Sequence, residues 1–249
     1  MRFFHSCIMA LQKRHKYVIA GLLIYWPLLF IATHAPVQDI GRQTRMSDKT
    51  MHWLAYLGLV FFVWLAVSPY DRVNWRKAKV WVILAVIVWY GVMDEWLQSF
   101  VGREATVDDF LADMIGALAG LGLLSILSFW PAALTVTAVF IFAISNMSRI
   151  DQLWDQPYLN IGFHFVAYSA FALVWIQYLD RRLSAKISAM KWIISGLLLP
   201  LVLLCAVKLI APVFDRPVWS FDCITAIAGI VLSAVVSRFI CQTIWLESD

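Results

Sequence analysis

Charge is scarce in this chain: Asp, Glu, Lys and Arg make up 14% of 249 residues, against 62% hydrophobic residues. A soluble domain is roughly half apolar and about one quarter charged, so this composition excludes an ordinary soluble domain and points to a polytopic membrane protein. Cysteine is sparse too. Cys7, Cys205, Cys223 and Cys241 show no ligand-like spacing, which argues against a disulfide framework or a cysteine zinc site and leaves them as small core residues. Short ligand spacings such as H-x-x-x-H are lacking, so no metal is expected. No serine or cysteine nucleophile stands in an evident motif, which weakens covalent catalysis. The net charge of +4 does not imply a nucleic-acid partner, because Lys and Arg sit in short clusters flanking apolar runs, as topology signals do.

What is present is a succession of apolar runs of spanning length bounded by charges or Pro. They cover Tyr17 to Thr33, Thr50 to Ser68, Lys79 to Gln98, Asp109 to Phe129, Pro131 to Ser145, Tyr158 to Leu179, Lys191 to Ile210 and Phe221 to Trp245. The fifth is the shortest and follows the fourth almost directly. The first follows Lys13, Arg14, His15 and Lys16 like a signal peptide, but its length and Pro36 after Ala35 favour an uncleaved helix. Pro27 and Pro200 fall inside spans, which lipid-embedded helices tolerate when neighbours satisfy the freed backbone groups. With eight spans, the clusters Arg2/Lys13/Arg14/Lys16, Arg72/Arg76/Lys77/Lys79 and Arg181/Arg182/Lys186/Lys191 share one side. The positive-inside rule then predicts both termini in the cytoplasm and the Glu95 to Asp109 turn outside. Most of the 13 Trp lie near span ends, where they read as interfacial anchors and not as a cofactor box; no cofactor is expected.

An internal repeat organises the spans. His52-Trp-Leu-Ala-Tyr56 recurs as His164-Phe-Val-Ala-Tyr168, and Arg103, Asp109 and Gly116 recur at the same intervals as Arg216, Asp222 and Gly229. The offsets, 112 and 113 residues, require hardly any gap. The predicted fold is therefore all-α, a polytopic transmembrane bundle of about eight helices in two tandem four-helix repeats, 1–130 and 131–249. The copies differ: where the first has Asp48, Lys49, Glu95, Gln98 and Asp113, the second has Asn160, Ile161, Lys208, Ala211 and Ala226. The first unit keeps the full polar set and is the expected site, with the second as its structural partner.

Helical spacing gathers that set. Lys49, His52 and Tyr56 lie on one face of the second span with Asp48 nearby, Glu95 and Gln98 share a face of the third, and Asp109, Asp113, Gly116 and Gly120 form a stripe along the fourth. Ionisable groups at membrane depth are costly unless paired or wet. Gly116 and Gly120 read as close-packing residues. His164 lacks acidic companions and reads as a helix-end hydrogen-bonding residue, while His5, His15 and His34 carry no signal.

The pattern Asp48-Lys49, His52, Tyr56, Glu95, Gln98, Arg103, Asp109, position 113 and Gly116 resembles the VanZ-like family, named for a member associated with teicoplanin resistance. The second unit resembles a degenerate copy. The resemblance implies an integral protein of the bacterial cytoplasmic (inner) membrane with a role in cell-envelope or glycopeptide tolerance. Asp113 departs from the Asn that the family pattern leads one to expect and adds a negative charge one turn from Asp109.

Several readings of the constellation stay open. Arg103 and Lys49 against Glu95, Asp109, Asp48 and Asp113 form the simplest account, an ion-pair network that locks helix register. A second is recognition of a lipid-linked envelope precursor or phospholipid headgroup, with Lys49 and Arg103 meeting phosphate or carboxylate and Gln98 and Tyr56 adding neutral hydrogen bonds. A third is an intramembrane hydrolase or transferase using Glu95 or His52 as general base. Transport between the units is a fourth, disfavoured because the charges sit toward one face and not at the midplane.

Overall fold

The computed structural model describes residues 2–34, 48–69, 71–101, 106–147, 157–182, 188–216 and 218–246. Among them the secondary structure is all helical. The α-helices are α1 (Arg2–His34), α2 (Asp48–Val67), α3 (Ala78–Gln98), α4 (Val107–Ile126), α5 (Phe129–Asn146), α6 (Pro157–Arg182), α7 (Ala189–Ile210) and α8 (Ser220–Leu246), with short 3-10 turns at Ser99–Val101 and Ala211–Phe214. Seven are long and apolar enough to cross a membrane. In α1 the apolar stretch among the described side chains is Val18–Ile31. Its helix continues N-terminally through the charged Lys13 to Lys16 run, because backbone hydrogen bonding does not depend on an apolar face.

Local chemistry sets the ends. Thr106 caps α4, its hydroxyl accepting from the Asp109 amide, and Asp108 and Asp109 place negative charge in the first turn, where the helix dipole favours it. Leu127 leaves the helix with φ −96° and ψ 145°, and α5 starts two residues later. The fifth span is thus a separate helix of 18 residues. Pro157 opens α6 at a position where its missing amide costs nothing.

The described helices fall into two compact units that divide between Ala132 and Ala133. In the first, α2 lies against α4 and α1 against α2. Tyr25 donates to the Ala55 carbonyl at 2.8 Å, His15 Nε2 meets the Ala66 carbonyl at 2.7 Å, and Trp64, Tyr56 and Leu121 are fully buried. A Cβ on Gly116 would collide with the Trp53 carbonyl oxygen, so the missing side chain sets the α2–α4 approach. In the second unit α6 lies against α8, where a Cβ on Gly229 would meet the Phe165 carbonyl oxygen at 2.6 Å. Its core gathers Leu134, Ile141, Tyr168, Phe171, Leu204 and Ile230.

The α2–α3 connection is held by Asp71. Its carboxylate accepts from Ser68 Oγ at 3.1 Å and Lys79 Nζ at 3.0 Å, and its carbonyl accepts from the Trp64 indole at 3.1 Å. The hydrogen bond from Lys79, then that from Ser68, holds the Asp71 carboxyl below its ordinary range. A depressed folded-state value stabilises at neutral pH and is lost as pH falls through that value. Asp71→Asn is accordingly expected to lower the melting temperature slightly at neutral pH, with the gap to wild type closing under acid. A pH series of thermal melts in detergent checks this; a gap constant with pH would show that the charge of Asp71 contributes nothing.

Candidate functional site

The polar residues of the first unit converge where the start of α2, the end of α3 and the start of α4 meet. Helix pitch puts His52 and Tyr56 on one face of α2, Asp94 with Gln98 on one turn of α3 beside Glu95, and Asp109 above Asp113 on α4. All seven are buried. His52 Nδ1 lies 3.0 Å from Asp113 Oδ1 and 3.8 Å from Glu95 Oε1. Beside the Asp113 carboxylate, the Nδ1–H of His52 is the donor. Glu95 Oε2 accepts from the Thr106 amide at 3.1 Å, tying the end of α3 to the cap of α4. Thr106 Oγ1 in turn donates to Asp109 Oδ2 at 2.5 Å.

The neighbouring carboxylate of Asp94, 1% exposed, accepts from Gln98 Nε2 at 2.9 Å and lies 3.7 Å from His34 Nδ1. Neither Asp94 nor His34 was singled out by the sequence. Asp94 immediately precedes Glu95 inside an apolar span, and that placement is the signal that could have found it. His34 carries no comparable signal, because it approaches from α1.

Among the described residues three oxygens of the cluster find no hydrogen-bond partner: Glu95 Oε1, Asp113 Oδ2 and the Tyr56 hydroxyl. Buried polar atoms are paired in the great majority of cases. One ligand atom from each of His52, Glu95 and Asp113 lies within 4.8 Å of the other two. The absence of short ligand spacings in the sequence does not bear on a set drawn from three helices. Chemically the arrangement can orient an imidazole, accept hydrogen bonds from a bound donor, or coordinate a cation.

Lys49 stands apart. It pairs with Asp108, and both side chains are more than half exposed, so Lys49 faces away from the buried cluster at the edge of the helix hairpin. Arg103 and the side chain of Asp48 lie outside the described residues. The described cluster is therefore acidic, with Asp94, Glu95, Asp109 and Asp113 against two histidines.

The second unit holds a polar cluster of different make-up. Lys208 Nζ donates to Asp222 Oδ2 at 2.9 Å and meets His164 Nε2 at 3.2 Å, while Asn160 Nδ2 donates to Asp222 Oδ1 at 2.7 Å. His164 Nδ1 faces the Asn160 carbonyl at 2.9 Å, so Nδ1 carries the proton and Nε2 accepts from the ammonium. Tyr168 stacks on His164 with centroids 6.2 Å apart. Arg216 is separate: buried, it donates from Nε to the Asn146 carbonyl at 3.4 Å.

A helical bundle with spans of membrane length and a buried imidazole–carboxylate cluster at one end of its first unit defines a polytopic integral membrane protein. Residues 17–128 match the model of the VanZ/LLP1 family. No curated protein and no solved structure matches the chain.

Proposed function

We propose that this membrane protein supports cell-envelope or glycopeptide (teicoplanin) tolerance by engaging an envelope ligand, a lipid-linked precursor or phospholipid headgroup, at the polar cluster of its first unit. The reading rests above all on the convergence of His52, Glu95 and Asp113 from three helices, with Glu95 Oε1 and Asp113 Oδ2 unpaired among the described residues in a buried setting. A network serving only to lock register would satisfy those oxygens, since each unmade buried hydrogen bond costs roughly 1–3 kcal/mol. In this reading the protein sits in the bacterial inner membrane, both termini are cytoplasmic and the cluster faces outward. The second four-helix unit is a degenerate VanZ-like copy whose α6–α8 contact at Gly229 parallels the α2–α4 contact at Gly116.

The test is teicoplanin susceptibility of a glycopeptide-sensitive host expressing wild type or Glu95→Gln, with membrane abundance and melting temperature measured for both. Wild type is expected to protect, and an equally abundant, equally stable variant to fall to the empty-vector level. Loss of protection in step with loss of stability would return the cluster to a structural role. If the wild type does not protect, the tolerance role fails. A second reading, an enzyme acting on an envelope lipid, is favoured by one observation: Asp113 orients the His52 ring as a carboxylate orients a general base. Turnover of a lipid-linked substrate that disappears in Asp113→Asn would select it.

A further inference from the structure

We propose that His52, Glu95 and Asp113 bind one divalent transition-metal ion of the zinc class, with a coordination position left open. Ligand atoms around a tetrahedral ion with bonds of about 2.0–2.1 Å are about 3.3 Å apart. The separations from His52 Nδ1, 3.0 Å to Asp113 Oδ1 and 3.8 Å to Glu95 Oε1, bracket that spacing. With the three ligand atoms within 4.8 Å of one another, small side-chain shifts and loss of the Nδ1 proton that His52 donates to Asp113 in the ion-free cluster would close the shell. One imidazole with two carboxylates suits Zn2+ better than Mg2+ or Ca2+, which take all-oxygen shells, and better than Cu(I), which prefers sulfur.

A second observation is independent of the spacing. Glu95 and Asp113 side chains are 9% and 0% exposed, yet Glu95 Oε1 and Asp113 Oδ2 have no hydrogen-bond partner among the described residues. Among the described residues no Lys or Arg pairs with these two carboxylates beside the His52 ring, and a divalent ion would supply the positive charge. The adjacent carboxylates are already engaged, Asp94 with Gln98 and Asp109 with Thr106, which leaves the three named groups as the ligand set.

The second unit points the same way. Between His164 and Asp222 it places the Lys208 ammonium, a cation carried on the chain itself. The sequence repeat aligns Lys208 with Glu95, so the first unit has a ligand where the second has a tethered charge. Three protein ligands with one open position is the pattern of reactive zinc sites, where water or an anionic oxygen completes the shell. On the envelope-ligand reading, on which this clause alone rests, the ion would let an acidic cluster hold a phosphate or carboxylate headgroup.

The experiment uses the full chain in detergent micelles, stripped with a chelator and titrated with zinc chloride. Elemental analysis after gel filtration is expected to give one ion per chain, and cobalt loading to give the visible absorption of a four-coordinate site. Glu95→Gln and Asp113→Asn should each weaken Zn2+ binding by more than about 100-fold, since even supporting partners of metal ligands are worth 10- to 100-fold. Asp108→Asn, which removes an exposed carboxylate from the same hairpin, should leave binding unchanged. A folded wild type that binds no ion, or variants that bind as tightly as wild type, overturns the inference. If the variants do not fold, the wild-type cobalt spectrum decides: four-coordinate absorption supports the site, and a six-coordinate spectrum overturns it. Wild type that protects against teicoplanin without binding metal sinks the ion and spares the envelope reading; metal binding without protection does the reverse.

Discussion

Gly116→Ala is expected to destabilise the protein by about 2–4 kcal/mol, at the upper end of what overpacking costs. A Cβ at this position would fall well under 3.0 Å from the Trp53 carbonyl oxygen and at about the same limit from the carbonyl carbon. The obstacle is backbone, and no rotamer change removes it. To admit one methyl group, α2 and α4 must move apart, and the move reaches His52 next to Trp53 and Asp113 one turn before Gly116. The variant should therefore lose the cluster geometry together with stability. Gly122, on the same helix, provides the control: a Cβ there meets nothing within 4 Å, so Gly122→Ala should be neutral or gain up to about 1 kcal/mol from helix propensity. Thermal unfolding in detergent, followed by tryptophan fluorescence, measures both. Equal melting temperatures for the two variants would mean that α2 and α4 do not approach at Gly116.

The second large effect is expected in the other unit. Lys208→Met keeps much of the side-chain volume but removes the ammonium from Asp222, which is 1% exposed. Among the described residues the carboxylate then keeps the hydrogen bond from Asn160 Nδ2 and the His164 ring 3.9 Å away. Breaking a buried ion pair from one side costs about 3–5 kcal/mol, because the charge left behind is neither solvated nor paired. The single variant should lose that much, and the double variant Lys208→Met/Asp222→Asn should recover most of it. Removing both charges abolishes the desolvation cost along with the attraction, and the double-mutant cycle isolates the coupling. A loss under about 1 kcal/mol for the single variant would indicate that Lys208 already reaches water by snorkelling and that the pair is wet.

Three further features divide what the residues announce from what they conceal. The weakest apolar run, Pro131 to Ser145, forms a full helix, Phe129–Asn146, because the extended Leu127 and the Pro131 imide near the start separate it from α4 without a long loop. The first run, Tyr17 to Thr33, lies inside a helix of 33 residues. Lys49 shares a helix face with His52 by spacing, yet its long side chain swings to Asp108 at the exposed edge. Periodicity fixes the face from which a side chain leaves, and for a lysine near a helix end it does not fix the destination.

From the sequence alone follow the membrane class, the helix order and the polar positions on α2, α3 and α4. Each depends on local chemistry: apolar run length, helix pitch, capping residues and the placement of charge. The rotation of each helix about its own axis and the depth at which it meets its neighbours were decided only by the tertiary structure. That step made His34 a neighbour of Asp94, sent Lys49 outward and brought His52, Glu95 and Asp113 within 4.8 Å. Those separations are set by packing between residues more than 40 positions apart, such as Gly116 against Trp53, and no spacing within a single helix encodes them.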